Sequence, residues 1–211
     1  DVLSARAERA GAVNTLSFAS TGVQGDNTDG PGLVRDLKIN HGYSLAGRRI
    51  LLLGAGGAAR GVLQPLLLEQ PAQLVIANRT ASKAAELALR FGDLGRVLGC
   101  GLTDLAGRSF DLIINATAAG LTDAVPPLPD GVLATDGWCY DLMYGREPTA
   151  FVRWGGEHGA ARSLDGLGML VEQAAESFHL WRGVWPETAP VITALRGRSG
   201  QAETGRGSLR Q

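Results

Sequence analysis

Cysteine, histidine and lysine are scarce in this chain of 211 residues, and each scarcity removes a chemistry. Cys100 and Cys139 stand far apart with no CxxC spacing, so neither a disulfide framework nor a cysteine zinc site is expected, and a reducing, cytoplasmic compartment fits. His41, His158 and His179 each lack a second ligand at i+3 or i+4, which leaves metal catalysis unsupported; no metal is expected. Charge of one sign is lacking too. A formal net charge of -1 gives no overall positive field to draw in a phosphate backbone, so nucleic acid is not an expected partner. No apolar run approaches the roughly 18 residues of a membrane span, and the opening DVLSARAERAG lacks the hydrophobic stretch of a signal peptide. Apolar residues themselves are not short: 45% hydrophobic against 19% charged supports a packed core and excludes a disordered chain.

Short apolar runs alternate with helical patterns. Residues 49–53, 74–77, 96–100, 112–115 and 138–142 read as buried strands, and segments 57–69, 81–91 and 148–158 as the helices that cross between them. This alternation predicts an α/β fold with a doubly wound parallel sheet and helices on both faces. Pro65 falls inside the first of these helices, where a kink is expected, with Gly61 at i-4 leaving room for the ring. Leu167, Leu170, Val171, Ala174, Phe178 and Trp181 define one face of a helix over 167–182, and a shorter helix over 187–196 is expected to stop at Gly197. The opening reads as a helix already under way, with Val2, Leu3, Ala7 and Ala10 near one face and no capping residue ahead, which suggests residues missing before it. The polar stretch 197–211 reads as a flexible tail.

Glycine is in excess, 30 in all, against a typical share of about 7%. Its most informative cluster follows the strand at 50–53: Gly54, Ala55, Gly56, Gly57, Ala58 and Ala59 spell G-x-G-x-x-A at a strand-to-helix turn. Gly54 permits the turn, Gly56 lets a pyrophosphate approach the backbone, and Ala59 lets helix and strand pack closely, as in a dinucleotide-binding Rossmann-like unit. Where an NAD site ends its next strand with an acid, this chain has Asn78, Arg79 and Thr80, followed by Lys83. A guanidinium, a hydroxyl and an ammonium there suit a ribose phosphate, which favours NADP. The simpler alternative is Thr80 as a helix cap with Arg79 and Lys83 merely solvated. Two dehydrogenase chemistries are excluded. The Tyr-x-x-x-Lys pair fails because Val34 and Arg79 precede the only lysines, Lys38 and Lys83, by four residues, and the zinc type fails on cysteine and histidine spacing.

Segment 11–32 is dense in Asn, Asp and Thr; on its own, Asp29-Gly30-Pro31 is a turn before a helix and Asn14 a hairpin residue. Together with it, GAVNT at 11–15, GDNTDG at 25–30, LLLGAGGAARG at 51–61, NRTASK at 78–83, INATAAG at 114–120, CYDLMY at 139–144 and DGLGMLVEQAA at 165–175 resemble the shikimate dehydrogenase family, in the family's order and over nearly the whole chain to residue 196. The resemblance implies reversible NADPH-dependent reduction of 3-dehydroshikimate to shikimate in the chorismate route to aromatic amino acids. It assigns Asp29 as catalytic and substrate-contacting, and Asn14, Tyr144 and Gln173 as substrate contacts. It assigns Gly54, Ala55, Gly56, Gly57, Ala58, Asn78, Arg79, Thr80, Lys83, Leu142 and Gly166 to the cofactor, with Thr117 as a weaker candidate; Leu142 stands where methionine is common. It divides the chain into part of a substrate domain at 1–30, an NADP domain at 31–165, helices returning to the substrate domain at 166–196 and a tail at 197–211. The family's catalytic lysine and Ser-x-Ser carboxylate site precede GAVNT, and neither lysine here matches, so a truncated enzyme is expected, with apolar surface of the first and late helices left uncovered. The alternatives are a quinate/shikimate dehydrogenase preferring NAD and an NADP-binding module without turnover. A small-molecule substrate is the expected partner, and a homodimer is compatible with the reading.

Overall fold

The computed structural model describes residues 1–20, 22–117 and 124–201, the last four without side chains. Residues 118–120 of the INATAAG motif and residues 202–211 of the expected tail therefore lie outside the described residues. The chain opens with a strand. β1 (Val2–Leu3) pairs in parallel with β3 (Gly22–Asp26), and β2 (Thr15–Ala19) forms an antiparallel hairpin with β3, giving a small sheet in the order β1-β3-β2. This corrects the expectation of a helix from the first residue. α1 spans only Ala5–Ala10 and is properly capped, for Ser4 Oγ accepts the Ala7 amide at 3.2 Å and Gly11 closes the helix in the left-handed region at φ 58°. Val2 and Leu3 are exposed, and their strand pairing with Gln24 and Gly25 is non-local.

α2 (Asp29–Arg35) follows β3 and widens into a π turn over Asp36–Asn40, closed by the His41 amide on Asp36 O at 3.2 Å. The main sheet is parallel throughout, in the order β6-β5-β4-β7-β8-β9. Its strands are β4 (Arg49–Leu53), β5 (Gln73–Asn78), β6 (Val97–Gly101), β7 (Phe110–Asn115), β8 (Leu133–Asp141) and β9 (Arg162–Leu164). The doubly wound expectation holds. Ile50 and Leu52 face a core shared with α3 (Gly57–Leu68) and α4 (Ala81–Phe91), while Leu51 and Leu53 face a second core with Phe151 of α5 (Ala150–Glu157). Burial on both faces explains why these strands read as unbroken apolar runs. β8 begins five residues before its expected start and β9 was not foreseen, because Leu133–Asp136 of β8 are only partly buried and β9 lies at the sheet edge, so both lose the continuous apolar signature.

α3 runs through Pro65 without interruption. The carbonyl of Gly61, to which a proline cannot donate, is met instead by Gly30, where an added Cβ would stand 2.6 Å from that oxygen and 2.4 Å from Pro65 Cγ. α6 (Leu167–Arg182) has the expected span, but its buried face differs from the expected stripe. Leu167 and Val171 are buried, whereas Phe178 and Trp181 are 41% and 54% exposed and the inner face is carried by Gly168, Glu172, Ala175 and Ser177. The reason is a close crossing with α2: Gly32 lies against Gln173 and Gly168 against the buried Asp36 carboxylate, so small and polar groups occupy the contact. α7 (Ala189–Gln201) starts later than expected and passes Gly197, so 197–201 is helix and not tail; a glycine inside a helix costs only about 1 kcal/mol. No helix among the described residues is long and apolar enough to cross a membrane.

Candidate active site

The strand order reverses between β4 and β7, and their C-terminal ends are level, with Leu53 opposite Asn115 and Asn115 opposite Asp141. A crevice at such a reversal is where open α/β sheets hold ligands. The glycine loop fills its near wall. Gly54 adopts φ 106°, donates its amide to Ala77 O at 2.8 Å, and leaves no room for a side chain, since a Cβ would lie 2.9 Å from Ala116 O. Gly56 is the N-cap of α3, extended and exposed, with open space where its Cβ would be, so free backbone amides at the helix start face solvent beside Ala55, Gly57 and Ala58. Ala59 is fully buried, as close helix packing requires.

Past this loop, between it and α4, lies a cleft of about 500 Å³ lined by Ala55, Gly56, Arg60, Lys83, Glu86, Leu87 and Arg90. Asn78 Nδ2 donates to Thr80 O at 3.0 Å and shapes the turn out of β5. Thr80 occupies the N-cap position of α4 without using its hydroxyl as a cap, which removes half of the simpler alternative. Arg79 and Lys83 are exposed and form no ion pair among the described residues. The residues present fit a dinucleotide bearing a ribose phosphate: a helix N-terminus for the pyrophosphate, no acid at the end of β5, and uncommitted cations beside it.

On the far wall, Asp141 is buried, and its carboxylate gathers Asn115 Nδ2 at 3.1 Å, the Met143 amide at 3.1 Å and Thr149 Oγ1 at 2.6 Å. Burial raises its pKa despite these bonds. This fixes the loop that carries Leu142 and Tyr144. Leu142 donates to Asn115 O at 2.9 Å and Gly166 to Met143 O at 3.0 Å; a Cβ on Gly166 would strike Leu142 O at 2.3 Å, so only glycine fits there. Thr117 lies two residues beyond β7 with Oγ1 on Asn115 Oδ1 at 2.7 Å, and its Cγ2 flanks Gly54. Tyr144 is 48% exposed, three residues beyond the end of β8, and makes no hydrogen bond to Asn14, Asp29 or Gln173 among the described residues.

Those three residues do meet. Asn14 precedes β2, Asp29 opens α2 and Gln173 lies on α6. Asn14 Nδ2 donates to Asp29 Oδ1 at 2.7 Å and to Gln173 Oε1 at 3.4 Å, and Gln173 Nε2 donates to Leu170 O at 3.0 Å. Burial raises the pKa of Asp29, and the Asn14 bond opposes it. Asp29 Oδ2 accepts no hydrogen bond among the described residues and rests against Gly61, the first turns of the helix that the glycine loop begins. Lys38 is paired with Glu69 at 2.7 Å and Lys83 lines the cleft between the glycine loop and α4, so neither reaches Asp29. Sequence reasoning missed Thr15, Thr28, Ser177 and Asp141, all buried polar residues that hold the named ones; Thr15, Thr28 and Asp141 lie inside GAVNT, GDNTDG and CYDLMY and so carried a signal, whereas Ser177 lies outside every such motif. No cluster of His, Cys, Asp and Glu suited to a metal occurs among the described residues.

Comparison with known proteins gives the family. The model described as shikimate / quinate 5-dehydrogenase matches residues 37–122, and that of the shikimate 5'-dehydrogenase C-terminal domain matches residues 166–196. The NADP(+) shikimate dehydrogenase of Methylococcus capsulatus is 63% identical over 196 residues, covering 92% of this chain and 70% of the relative. Among solved structures, an Ael1 enzyme from Pseudomonas putida matches with a TM-score of 0.86 at 48% identity, over 92% of this chain and 72% of that one. Shikimate 5-dehydrogenase from Thermus thermophilus, solved with NADP(H) and shikimate, matches with a TM-score of 0.79 at 34% identity, over 94% and 72%. A G-x-G-x-x-A loop at the sheet reversal, a carboxylate bonded by the Asn14 amide near it, and this level of identity agree, and the chain belongs to the NADP-dependent shikimate dehydrogenase family.

Proposed function

We propose that this protein interconverts 3-dehydroshikimate and shikimate with NADP, with Asp29 handling the proton and Asn14, Gln173 and Tyr144 contacting the substrate. The observation that carries this reading is the position of Asp29, whose free Oδ2 rests on Gly61 of the glycine-loop helix while its Oδ1 holds Asn14. Bound at the loop, NADPH supplies the hydride. Reduction of a ketone builds negative charge on its oxygen, so a cationic acid beside it stabilises the transition state, and Asp29 is the group that orients and charges such a partner. Family resemblance makes that partner a lysine, which Lys38 and Lys83 do not supply. Amides both donate and accept, which suits Asn14 and Gln173 to adjacent hydroxyls of a polyol. Leu142 and Gly166 offer an apolar, close-fitting wall to the nicotinamide, Thr117 flanks the loop, and Arg79, Thr80 and Lys83 meet the ribose phosphate.

In this reading residues 1–30 and 166–196 belong to the substrate domain and 31–165 to the NADP domain; the separation of the small sheet from the six-stranded one supports the division. The enzyme is read as cytoplasmic, and a homodimer is compatible with it. Oxidation of shikimate by the full-length protein, followed at the NADPH absorbance, tests the activity, with quinate and NAD as the competing substrates. Asp29→Asn lowers turnover by at least about 100-fold with NADP affinity unchanged. Turnover within threefold of wild type makes Asp29 structural, and oxidation of quinate alone favours the quinate reading.

A further inference from the structure

Thr28 stands at the N-cap of α2, where threonine is a favoured capping residue, yet its side chain makes no cap hydrogen bond. The hydroxyl turns into the site. Its Oγ1 lies 3.1 Å from Asn14 Oδ1, 3.2 Å from Gln173 Oε1 and 3.2 Å from Ser177 Oγ. Behind it, Ser177 Oγ is 2.7 Å from Thr15 Oγ1, which in turn lies 3.0 Å from Asn14 Oδ1. These hydroxyls are closed to solvent: Thr28, Thr15 and Ser177 are 0%, 2% and 6% exposed.

The orientation of both amides follows from groups of fixed polarity. The Thr28 backbone amide can only donate, and it donates to Asn14 Oδ1 at 3.0 Å, which turns the Asn14 NH2 toward Asp29. Leu170 O can only accept, so Gln173 presents its NH2 there and its Oε1 inward. Asn14 Oδ1 is already served by the Thr28 amide at 3.0 Å, whereas Gln173 Oε1 has, among the described residues and besides Thr28, only the long bond from Asn14. Ser177 Oγ, the remaining acceptor, donates to Gln173 O at 3.0 Å and has Thr15 nearer, at 2.7 Å, so the single proton of the Thr28 hydroxyl belongs to Gln173 Oε1. Held by this hydroxyl at its oxygen and by Leu170 O at its nitrogen, the half-buried Gln173 amide is confined to one rotamer and one orientation.

We propose that Thr28, backed by the buried hydroxyls of Thr15 and Ser177, is a positioning residue that fixes the orientation of the Gln173 amide and thereby the hydroxyl pattern of the polyol this site accepts. The proposal rests on the shikimate dehydrogenase reading of the site. Steady-state kinetics of full-length Thr28→Val, Thr28→Ser and Ser177→Ala, with melting temperature and NADP KM as fold controls, test it. Thr28→Val raises the shikimate KM about tenfold, the equivalent of one buried hydrogen bond, and leaves kcat and the NADP KM within about twofold. Thr28→Ser restores the shikimate KM, which a loss of packing alone would not allow, and Ser177→Ala raises it about threefold by loosening the relay. A well-folded Thr28→Val with unchanged shikimate KM overturns the proposal, as does failure of Thr28→Ser to restore it. Should Thr28→Val not fold, a wild-type KM in Ser177→Ala overturns the relay. Wild-type protein that leaves shikimate untouched overturns the functional reading and this proposal with it, whereas active wild type with indifferent variants overturns only the proposal.

Discussion

Replacing Gly30 by alanine adds one methyl group at a place where neither neighbour can yield. The new Cβ would lie 2.4 Å from Pro65 Cγ, 2.6 Å from Gly61 O and 2.9 Å from Pro65 Cδ. Carbon contacts settle at about 3.5–4.0 Å, so α2 must retreat from α3 by roughly 1 Å. A proline ring and a helical carbonyl are both rigid, and the displacement therefore falls on α2 itself. Overpacking of this kind costs about 1–3 kcal/mol, offset by up to about 1 kcal/mol because alanine favours a helix over glycine, which leaves a loss of a few degrees in Tm for a chain of this size. The larger effect is on catalysis, since Asp29 immediately precedes the methyl and its 2.7 Å bond to Asn14 does not survive such a shift. Misplacement of a reacting group by about 1 Å costs on the order of 100-fold in rate. NADP affinity, which the proposed site places at the start of α3 and not at Gly61 and Pro65, stays as it was. Pro65→Ala removes the two ring contacts and supplies the amide that Gly61 O lacks, so Gly30→Ala/Pro65→Ala recovers part of both losses, and the double-mutant cycle gives a favourable coupling. Thermal unfolding and shikimate oxidation by the full-length proteins measure all of it. Wild-type stability and turnover in Gly30→Ala, or additivity in the cycle, would refute the wedge.

Two further expectations concern the cofactor and the acid limit. Arg79→Ala weakens NADP binding about tenfold and leaves NAD unchanged, Lys83→Ala acts in the same direction with less effect, and both preferences shrink with added salt because the cations are exposed. Equal losses for the two dinucleotides in a calorimetric titration would remove these residues from the phosphate site. Asp26 accepts Arg6 at 2.6 and 3.1 Å, Ser4 Oγ at 2.6 Å and the Asn27 amide at 2.7 Å; burial pushes its pKa up, but these bonds outweigh it and hold it below the ordinary carboxylate value. A depressed folded-state pKa contributes stability that is complete above the unfolded value of about 3.9 and is lost as the pH falls through the folded one. In Arg6→Ala the burial effect is left with less opposition, so the folded-state pKa moves back toward the unfolded one, stability at neutral pH drops, and the urea midpoint falls less on acidification than in wild type; an acid loss as large as in wild type would show that the pair does not govern it.

The features legible from sequence were those whose cause is local or repeats with a simple period. An apolar run such as 50–53 is a strand buried on both faces wherever it sits, and a G-x-G-x-x-A turn after it needs Gly54 at φ 106° and an unobstructed Gly56 for reasons internal to the turn. The spans of α4 and α6 follow from helical periodicity in the same way. The contacts that make a site of these elements are long-range. Val2 and Leu3 became a strand because Gln24 and Gly25 lie beside them, and α7 continued past Gly197 because one glycine is a weak local stop. The inner face of α6 was set by how closely α2 crosses it, which no stripe of apolar residues could announce when the contact is made by Gly32, Gly168 and Gln173. Thr28 shows the division within one residue. Its type and place spell a helix cap, but hydroxyl hydrogen bonds go to whichever acceptors surround them, and only the packing of β2, α2 and α6 brought Asn14 and Gln173 within reach.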